Sequence, residues 1–334
     1  MISIRELAKL ADVSPATVSR VINGTAKVDE IKKNRVLETI RETGYQPNEL
    51  ALSLFRNSSK MIGIILSDIE NPFFSELSKA IEDEAYGNGY KMLLCNSDNN
   101  TEKEKANIRM LHQLKADGLI IITNNEETNE ELLNSKIPVV IVDRTFDSAV
   151  KGSGGILTIE SDHYQGGRLA AEHLVECGCS DIVFLRGPIK YSSGYQRYRG
   201  YLEICKRYKL KIQYVDCLYQ YRDGVEKTEE LLKRYPKVDG IIACNDMVAS
   251  ASYKVLHDKG IRVPEDVQLI GYDDISFSEM FVPKLTTIRQ DIKTIGIIAV
   301  NLLLQKKAGK KTTLRNTLPV SLVQRETTKW RECN

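Results

Sequence analysis

Apolar residues near the start of the chain recur at helical spacing. Two stretches repeat hydrophobic positions three and four residues apart, at Ile4, Leu7, Ala8 and Ala11 and then at Val18, Val21 and Ile22. This periodicity predicts two short helices, each with one buried face. Ser14 stands where the second helix needs an N-cap, Pro15 follows at the first helical position, and Asn23-Gly24 ends the helix.

A third helix is predicted from about Asp29 to Thr43, where Gly44 stops it. Its buried side consists of Val36, Leu37 and Ile40. Two short helices joined by a tight turn and supported by a third helix are typical of a helix-turn-helix unit. This interpretation makes residues 1–46 an all-α, DNA-binding domain.

The second helix carries a small and polar outer face, made of Ala16, Thr17, Ser19 and Arg20. A helix that enters the major groove needs small side chains near the bases and hydroxyl groups near the phosphates. We therefore interpret Pro15 and Ala16 as contacts to thymine methyl groups and Arg20 as a guanine contact. Thr17 and Ser19 would donate to phosphate oxygens. The alternative is an ordinary surface helix.

The segment after Tyr45, QPNELALSLFRNSSK, is more apolar than a linker requires. Pro47 interrupts the chain and Asn48 is placed to cap a short helix. The apolar residues of that helix are Leu50, Ala51, Leu54 and Phe55. Because so short a helix is unstable alone in water, something must support it. Either it folds on DNA, with Leu54 wedged between base steps in the minor groove, or its leucines dock on the next domain.

From Met61 onward the pattern changes to short apolar strands that alternate with helices. The strand-like segments are MIGIILSDI, YKMLLCNSD, GLIIIT and PVVIVDR, followed after a Gly-rich bridge by DIVFLRG, GIIACND and VQLIGYDD. Continuous apolar strands between helices predict parallel sheets that are covered on both faces. Two such sets predict a core of two similar, doubly wound α/β lobes with a cleft between them. Ligands of such sheets bind beyond the carboxyl ends of the strands.

Polar and aromatic residues collect at those strand ends. They are Asp68, Asn71-Pro72-Phe73-Phe74, Asp143-Arg144, Asn245-Asp246 and Tyr272-Asp273-Asp274. Carboxylates, amides and an arginine bind vicinal hydroxyl groups, while flat rings cover the C–H faces of a sugar. The constellation predicts a site for a small polyhydroxyl ligand. Taken one by one, the same residues also suit loop solvation or helix capping, as Asn71 before Pro72 illustrates.

Composition narrows the class of protein. A chain of 334 residues is long enough for two or three domains. Because the net charge is only +2, any basic surface must be confined to one part of the protein. Seven cysteines without CxxC spacing and four scattered histidines predict neither a disulfide framework nor a metal site. No phosphate-binding or nucleophile motif is present, so we expect no enzyme activity and no cofactor. The charged N-terminus and the short apolar run at 295–304 predict a cytoplasmic protein without a membrane segment.

The stretches IRELAKLADVSPATVSRVING, GYQPN, VQLIGYDD and PKLTTIRQD, together with the two-lobed core, resemble the LacI/GalR family of bacterial transcription regulators. The resemblance covers essentially the whole chain. It implies a hinge helix and linker at 47–60 and an effector-binding, dimerising core at 61–334. Within that core the N-lobe would take about 61–160 and 291–320, and the C-lobe about 161–290 and 321–334.

By position, the resemblance implies a set of DNA-binding residues: Ser14, Pro15, Ala16, Thr17, Ser19, Arg20, Asn23, Ala51 and Leu54. Leu54 falls where the family inserts a leucine at the centre of its operator. Leu52 stands where the family often has Arg, and Phe55 replaces a more usual polar residue, which implies the loss of some minor-groove or phosphate contact. The implied partners are a near-palindromic operator and a second copy of the chain.

The core is also similar to periplasmic ribose-binding proteins. That similarity implies an effector pocket made of Asn71, Phe73, Phe74, Asp143, Arg144, Arg197, Tyr221, Asn245, Asp273 and Gln290. Tyr221 falls near the position of a phenylalanine in those proteins, and the loop around it allows a shift of one residue in register. A nearly complete set of this kind implies ribose or a close pentose, rather than a purine or a disaccharide, and leaves a phosphorylated pentose open.

The resulting hypothesis is a repressor of a ribose utilisation operon that leaves its operator when the sugar binds. A sugar-transport receptor would lack residues 1–60 and would carry an export signal. An enzyme of the α/β class would need a phosphate cradle or a metal. Within the family, the alternative is a global carbon-catabolite regulator controlled by a phosphoprotein partner, because SPATVSRV resembles such proteins too.

Overall fold

The computed structural model describes residues 2–24, 27–46, 58–122, 128–143 and 156–329. The chain divides into two compact units, Met1–Lys60 and Met61–Asn334. The first unit contains three described helices, α1 (Ile4–Leu10), α2 (Pro15–Asn23) and α3 (Glu30–Thr43).

Side chains at the helix ends explain where the helices of the first unit begin and stop. Ser3 and Glu6 form a reciprocal capping box at the start of α1, and Ser14 Oγ accepts from the backbone N–H of Thr17 at the start of α2. Both α2 and α3 end at a glycine with a φ of +62°, the left-handed conformation that glycine adopts without strain. The predicted bounds of the three helices agree with the structure to within about one residue.

The core of the first unit is small. Its fully buried apolar residues are Leu7, Ala8, Ala11, Val18 and Val36. Partly buried side chains close it, among them Ile4, Val21, Ile22 and Ile40. Leu37, which the periodicity assigns to the buried side of α3, is 37% exposed, so that assignment was wrong. It follows Val36 by one residue and therefore points about 100° away from it around the helix.

The second unit alternates strands and helices throughout. Its strands are β1 (Met61–Leu66), β2 (Lys91–Asn96), β3 (Gly118–Ile121), β4 (Val139–Val142), β5 (Leu157–Ser161), β6 (Ile182–Arg186), β7 (Tyr214–Asp216), β8 (Gly240–Ala243), β9 (Gln268–Asp273), β10 (Thr286–Gln290), β11 (Arg315–Leu318) and β12 (Val320–Val323). Its helices are α4 (Pro72–Gly87), α5 (Thr101–Gln113), α6 (Asn129–Leu133), α7 (His163–Glu176), α8 (Ser192–Tyr208), α9 (Tyr221–Arg234), α10 (Asp246–Asp258), α11 (Phe277–Met280) and α12 (Ile292–Lys307).

The strands form two six-stranded sheets, in the orders β11-β5-β4-β3-β1-β2 and β12-β10-β9-β8-β6-β7. All neighbouring strands are parallel except in one pair, in which β12 runs antiparallel to β10. We call the parts built on these sheets lobe 1 and lobe 2. Within the described residues the chain passes between the lobes after β5, after β10 and after β11.

Apolar strands covered on both faces account for the cores of the lobes. In β3, β4 and β8 every residue is buried. The apolar run at 295–304 lies within α12, where Ile295, Ala299 and Leu303 pack against lobe 1. Of the helices in the described part of the chain, none combines the length and the apolar character that crossing a membrane demands.

Glycines let two helices of lobe 2 approach closely. A Cβ atom on Gly167 of α7 would lie 2.0 Å from the carbonyl oxygen of Arg197, and one on Gly200 of α8 would lie 2.2 Å from that of Tyr164. Any larger residue at either position would collide with backbone. The two glycines therefore fix the spacing of α7 and α8, and with it the position of Arg197 on α8.

Candidate effector site and nucleic-acid interface

The strand ends of the two sheets border a small pocket between the lobes. Its empty space, including the part that is open to solvent, is about 270 Å³. The side chains that line it are Asn71, Phe73, Phe74, Asp143, Ser193, Arg197, Tyr219, Asn245, Asp273 and Gln290. Every pocket residue predicted from the sequence is among them except Arg144, which lies outside the described residues, and Tyr221. Ser193 and Tyr219 are additions that the sequence analysis did not make.

Tyr221 was assigned to the pocket, but the tyrosine that lines it stands two residues earlier in the chain, at Tyr219. Tyr221 is the first residue of α9, is 37% exposed, and lines a separate apolar groove with Met247 and Phe281. Tyr219 takes its place, because the loop before α9 still faces the cleft. The ring of Tyr219 lies over two glycines: a Cβ on Gly187 would be 2.7 Å from the Tyr219 hydroxyl oxygen, and one on Gly194 would be 3.0 Å from it.

Arg197 is the cation among the described lining residues. Its side chain is almost fully buried, donates from Nη1 to the carbonyl oxygen of Cys244 at 2.6 Å, and lies 3.6 Å above the ring of Tyr272. Nη2 lies 3.6 Å from Oδ1 of Asp273. Burial disfavours a charged guanidinium, but Tyr272 and Asp273 outweigh it and raise the pKa of Arg197. The group is thus a fixed positive donor on the wall of the pocket.

Asp273 and Gln290 form the polar wall beside Arg197. Gln290 Nε2 donates to Asp273 Oδ1 at 2.8 Å, and burial raises the pKa of Asp273 well above its usual range although Arg197 opposes this. The buried Oε1 of Gln290 accepts no hydrogen bond from the described residues. A buried acceptor without a partner is costly, so a ligand hydroxyl at this position would be favoured.

The two aspartates of the pocket have unusual backbones. Asp143 has a φ of +68° and Asp273 a φ of +114°. Non-glycine residues adopt such angles rarely, at a cost of about 1–3 kcal/mol, and mainly at functional sites. Asp143 directly follows β4 and Asp273 is the last residue of β9, and both line the pocket.

The asparagines and the phenylalanines form the remaining walls. Asn71 Oδ1 caps α4 by accepting from the N–H of Phe73, and Asn245 Oδ1 caps α10 by accepting from Val248. Both residues therefore combine the capping role with a position in the pocket. The rings of Phe73 and Phe74 meet edge to face, with centroids 5.3 Å apart. They give the pocket one apolar, aromatic side.

Other residues of the predicted strand-end constellation support the pocket from behind. Asp246 accepts from Thr287 Oγ1 at 2.6 Å, from Ser278 Oγ at 2.7 Å and from the backbone of Ile275 at 3.0 Å. Burial raises the pKa of Asp246 to about 7. Its role is to tie the loop after β9 to β10, and it does not line the pocket.

The outer face of α2 has the predicted character. Ser14, Pro15, Ala16 and Arg20 are exposed, Thr17 and Ser19 are half-buried, and Val18 points into the core. Several polar groups are also used inside the helix, since Ser14 caps it, Thr17 Oγ1 lies 2.9 Å from Ser14 Oγ, and Asn23 donates to Ser19. Arg20 therefore remains the long polar side chain on this face. The DNA contacts assigned to these residues stay predictions, and Ala51 and Leu54 lie outside the described residues.

No group of histidine, cysteine, aspartate or glutamate in the described ranges is arranged to hold a metal ion. The cysteines that the structure describes are free thiols, and all except Cys177 are buried.

Comparison with known proteins identifies the class. A family model described as "Bacterial regulatory proteins, lacI family" matches residues 3–48, and one described as "Periplasmic binding protein-like domain" matches residues 171–328. A curated ribose operon repressor of Halalkalibacterium halodurans is 39% identical over 331 residues, which is 98% of this chain and 98% of that protein. The chain belongs to the lacI family of bacterial regulatory proteins.

Two solved structures are similar over long stretches. The lac repressor dimer bound to operator and the anti-inducer ONPF has a TM-score of 0.87 at 27% identity and covers 98% of each chain. A LacI family transcriptional regulator from Enterococcus faecium with bound ribose has a TM-score of 0.72 at 30% identity and covers 80% of this chain and 98% of that chain. The expected helix-turn-helix unit and two-lobed parallel-sheet core are confirmed.

Proposed function

We propose that this chain represses a sugar utilisation operon as a homodimer and that ribose, bound between the lobes, releases it from a near-palindromic operator. The observation that carries the proposal is the composition of the pocket, in which the Phe73–Phe74 face lies in one cavity with the polar wall of Arg197, Asp273 and Gln290. The 39% identical ribose operon repressor and the ribose-bound relative support the choice of sugar.

The pocket suits an uncharged pentose on chemical grounds. A sugar ring offers C–H groups on its face and hydroxyl groups around its edge, so it matches one apolar wall and several polar ones. Arg197, Gln290 and the amides of Asn71 and Asn245 donate or accept at that edge.

Release of DNA follows from linkage. A ligand that contacts both lobes favours the lobe arrangement in which all its contacts are made. The segment 47–60 joins the two units along the chain, so a change in lobe angle is passed to it in this proposal. A coupling of about 1–3 kcal/mol lowers operator affinity roughly 5- to 150-fold.

The phosphoprotein-controlled regulator is the second candidate within the family. A regulator that answers to a protein partner has no need for a buried sugar pocket with strained aspartates on both sides. The described pocket therefore favours the sugar-controlled form.

Calorimetry with ribose tests the proposed function. We expect the purified full-length chain to bind ribose at micromolar to low-millimolar concentration. In a gel-shift assay with the upstream DNA of the operon that contains the gene for this protein, we expect ribose to release the protein from that DNA. Xylose and ribose 5-phosphate serve as matched ligands, and both are expected to bind more weakly. No heat and no release with millimolar ribose would instead favour the phosphoprotein-controlled regulator.

Replacement of Gly194 by alanine tests the position of Tyr219. The added Cβ would lie 2.5 Å from the carbonyl oxygen of Pro188 and 3.0 Å from the Tyr219 hydroxyl, so the loop and ring must shift. We expect ribose affinity in calorimetry to fall by about tenfold, the effect of one lost polar contact. Gly87→Ala is the control, since its Cβ meets nothing within 4 Å. Equal ribose affinity in both variants would remove Tyr219 from the site.

A further inference from the structure

A buried histidine outside the pocket touches two of its residues, one from each lobe. His163 is the first residue of α7 and is 2% exposed. Its Nε2 lies 3.4 Å from the backbone oxygen of Asp143 and 3.5 Å from Asp143 Oδ1 in lobe 1. Its Nδ1 lies 3.3 Å from Nε of Arg197 in lobe 2.

The neighbours of His163 define which ring nitrogen carries the proton. A guanidinium N–H only donates, so Nδ1 must accept the hydrogen bond from Arg197. The backbone oxygen of Asp143 only accepts, so Nε2 must donate to it. The hydroxyl of Tyr272 also lies 3.3 Å from Nδ1, so it shares the single lone pair of that nitrogen with Arg197. The arrangement requires the neutral tautomer with its proton on Nε2.

Close packing around α7 holds the ring in this place. A Cβ on Gly166 would lie 2.2 Å from the Tyr272 hydroxyl, so Tyr272 sits directly over the first turn of the helix. Gly167 lets α8, and with it Arg197, approach α7 just as closely. His163 thus has little freedom to turn away from either partner.

The position of His163 along the chain adds to its effect. It follows Ser161, the last residue of β5 in lobe 1, by two residues, at one of the passages between the lobes. Gln290, the last residue of β10, lies at the second passage and reaches Asp273. Contacts made where the chain passes between the lobes depend both on the angle between the lobes and on the ligand.

We propose that His163 is a positioning residue, which aligns Asp143 of lobe 1 and Arg197 of lobe 2 for the sugar through its Nε2-protonated ring. The inference rests on the proposed function, because it assigns the ligand of this pocket to ribose. His163 does not line the pocket, so its effect on binding is exerted through the two residues it holds.

Two conservative variants separate the two contacts. In His163→Asn the amide oxygen takes the place of Nδ1 and keeps an acceptor for Arg197, whereas in His163→Gln the amide nitrogen takes the place of Nε2 and keeps a donor for Asp143. We expect each to lower ribose affinity by about tenfold and His163→Phe, which lacks both groups, by about 100-fold, since each contact involves a charged residue. Calorimetry measures these values.

The chain offers a matched control on the same helix. His173 is also buried, and its Nε2 lies 2.8 Å from Thr328 Oγ1, remote from the pocket. His173→Gln is expected to change thermal stability as much as His163→Gln does, and to leave ribose affinity within about twofold of wild type. The comparison separates positioning of the pocket from general support of the fold.

A ¹⁵N NMR measurement of the histidine rings tests the tautomer directly in the unliganded full-length protein. A signal for His163 with a protonated Nε2 and an unprotonated Nδ1 supports the inference, and a protonated Nδ1 overturns it. Ribose affinity of His163→Phe within about twofold of wild type would overturn it as well. Failure of the wild-type chain to bind ribose is a different result, which removes the proposed ligand and leaves the tautomer measurement valid.

Discussion

The variant Arg197→Met is expected to bind operator DNA as the wild type does and to ignore ribose. Methionine keeps much of the volume of the side chain but removes the fixed positive donor, so the sugar loses its charged partner and Asp273 loses its counter-charge. With two charge-assisted contacts at about 1.5–3 kcal/mol each, ribose affinity should fall at least about 100-fold. Calorimetry gives the affinity and a gel-shift titration gives operator binding and release.

Arg186→Met is the matched control. Arg186 is also buried, lies 3.9 Å from the ring centre of Tyr214, and pairs with Asp216 at 2.6 Å, but it does not line the pocket. It should lose stability to a similar degree and retain both ribose binding and release. Ribose-dependent release by Arg197→Met at the wild-type concentration of sugar would show that the pocket is wrongly assigned.

The second large effect is expected at the other end of the chain, where Arg20→Ala should abolish recognition of the operator. A bidentate arginine–guanine contact contributes about 1–3 kcal/mol, and a dimer makes it twice, so operator affinity should fall about 30-fold or more. Arg20 is exposed, so neither folding nor ribose affinity should change. Titration of operator and scrambled DNA at one salt concentration measures the specificity ratio.

Arg41→Ala removes the same charge from an exposed position in the last turn of α3. It should weaken operator and scrambled DNA alike, by about threefold or less, because loss of a phosphate contact carries no sequence information. If Arg20→Ala lowers both affinities equally, the side chain contacts phosphate and the base-reading role belongs to a neighbour.

The main features of the fold follow from local patterns in the sequence. The three N-terminal helices were predicted because capping residues such as Ser14 and Gly24 stand at the ends of segments whose apolar residues recur at helical spacing. The central strands β1, β3, β4 and β8 were predicted because they are continuous apolar runs. The segments forming β5, β7, β10, β11 and β12 were not singled out. Of these, β7, β11 and β12 are edge strands, which are covered on fewer sides and need fewer apolar residues. The interior strands β5 and β10 read LTIES and TTIRQ, so neither is a continuous apolar run. Leu37 was misplaced because a periodic pattern does not determine which neighbour of a buried residue faces outward.

The pocket was predictable as far as its residues sit at strand ends. Asp143, Asn245 and Asp273 each follow an apolar run, so their common location follows from parallel topology. Tyr219 was missed because its position depends on how a loop crosses Gly187 and Gly194. Hydrophobic periodicity does not determine the path of a loop. His163 was missed because the histidines were weighed only as metal or triad ligands. A histidine beside the paired glycines of α7 is the signal that would have pointed to it.

The interleaving of the lobes along the chain has a consequence for damaged copies of the protein. The edge strands β11 and β12 come from neighbouring stretches near the C-terminus, yet each completes a different sheet. A premature stop codon before Arg315 would therefore remove one edge strand from each sheet and leave the backbone N–H and C=O groups of β5 and β10 unpaired on that side. Truncated chains of this kind should aggregate or be degraded, and would not persist as a half-active protein that still blocks DNA.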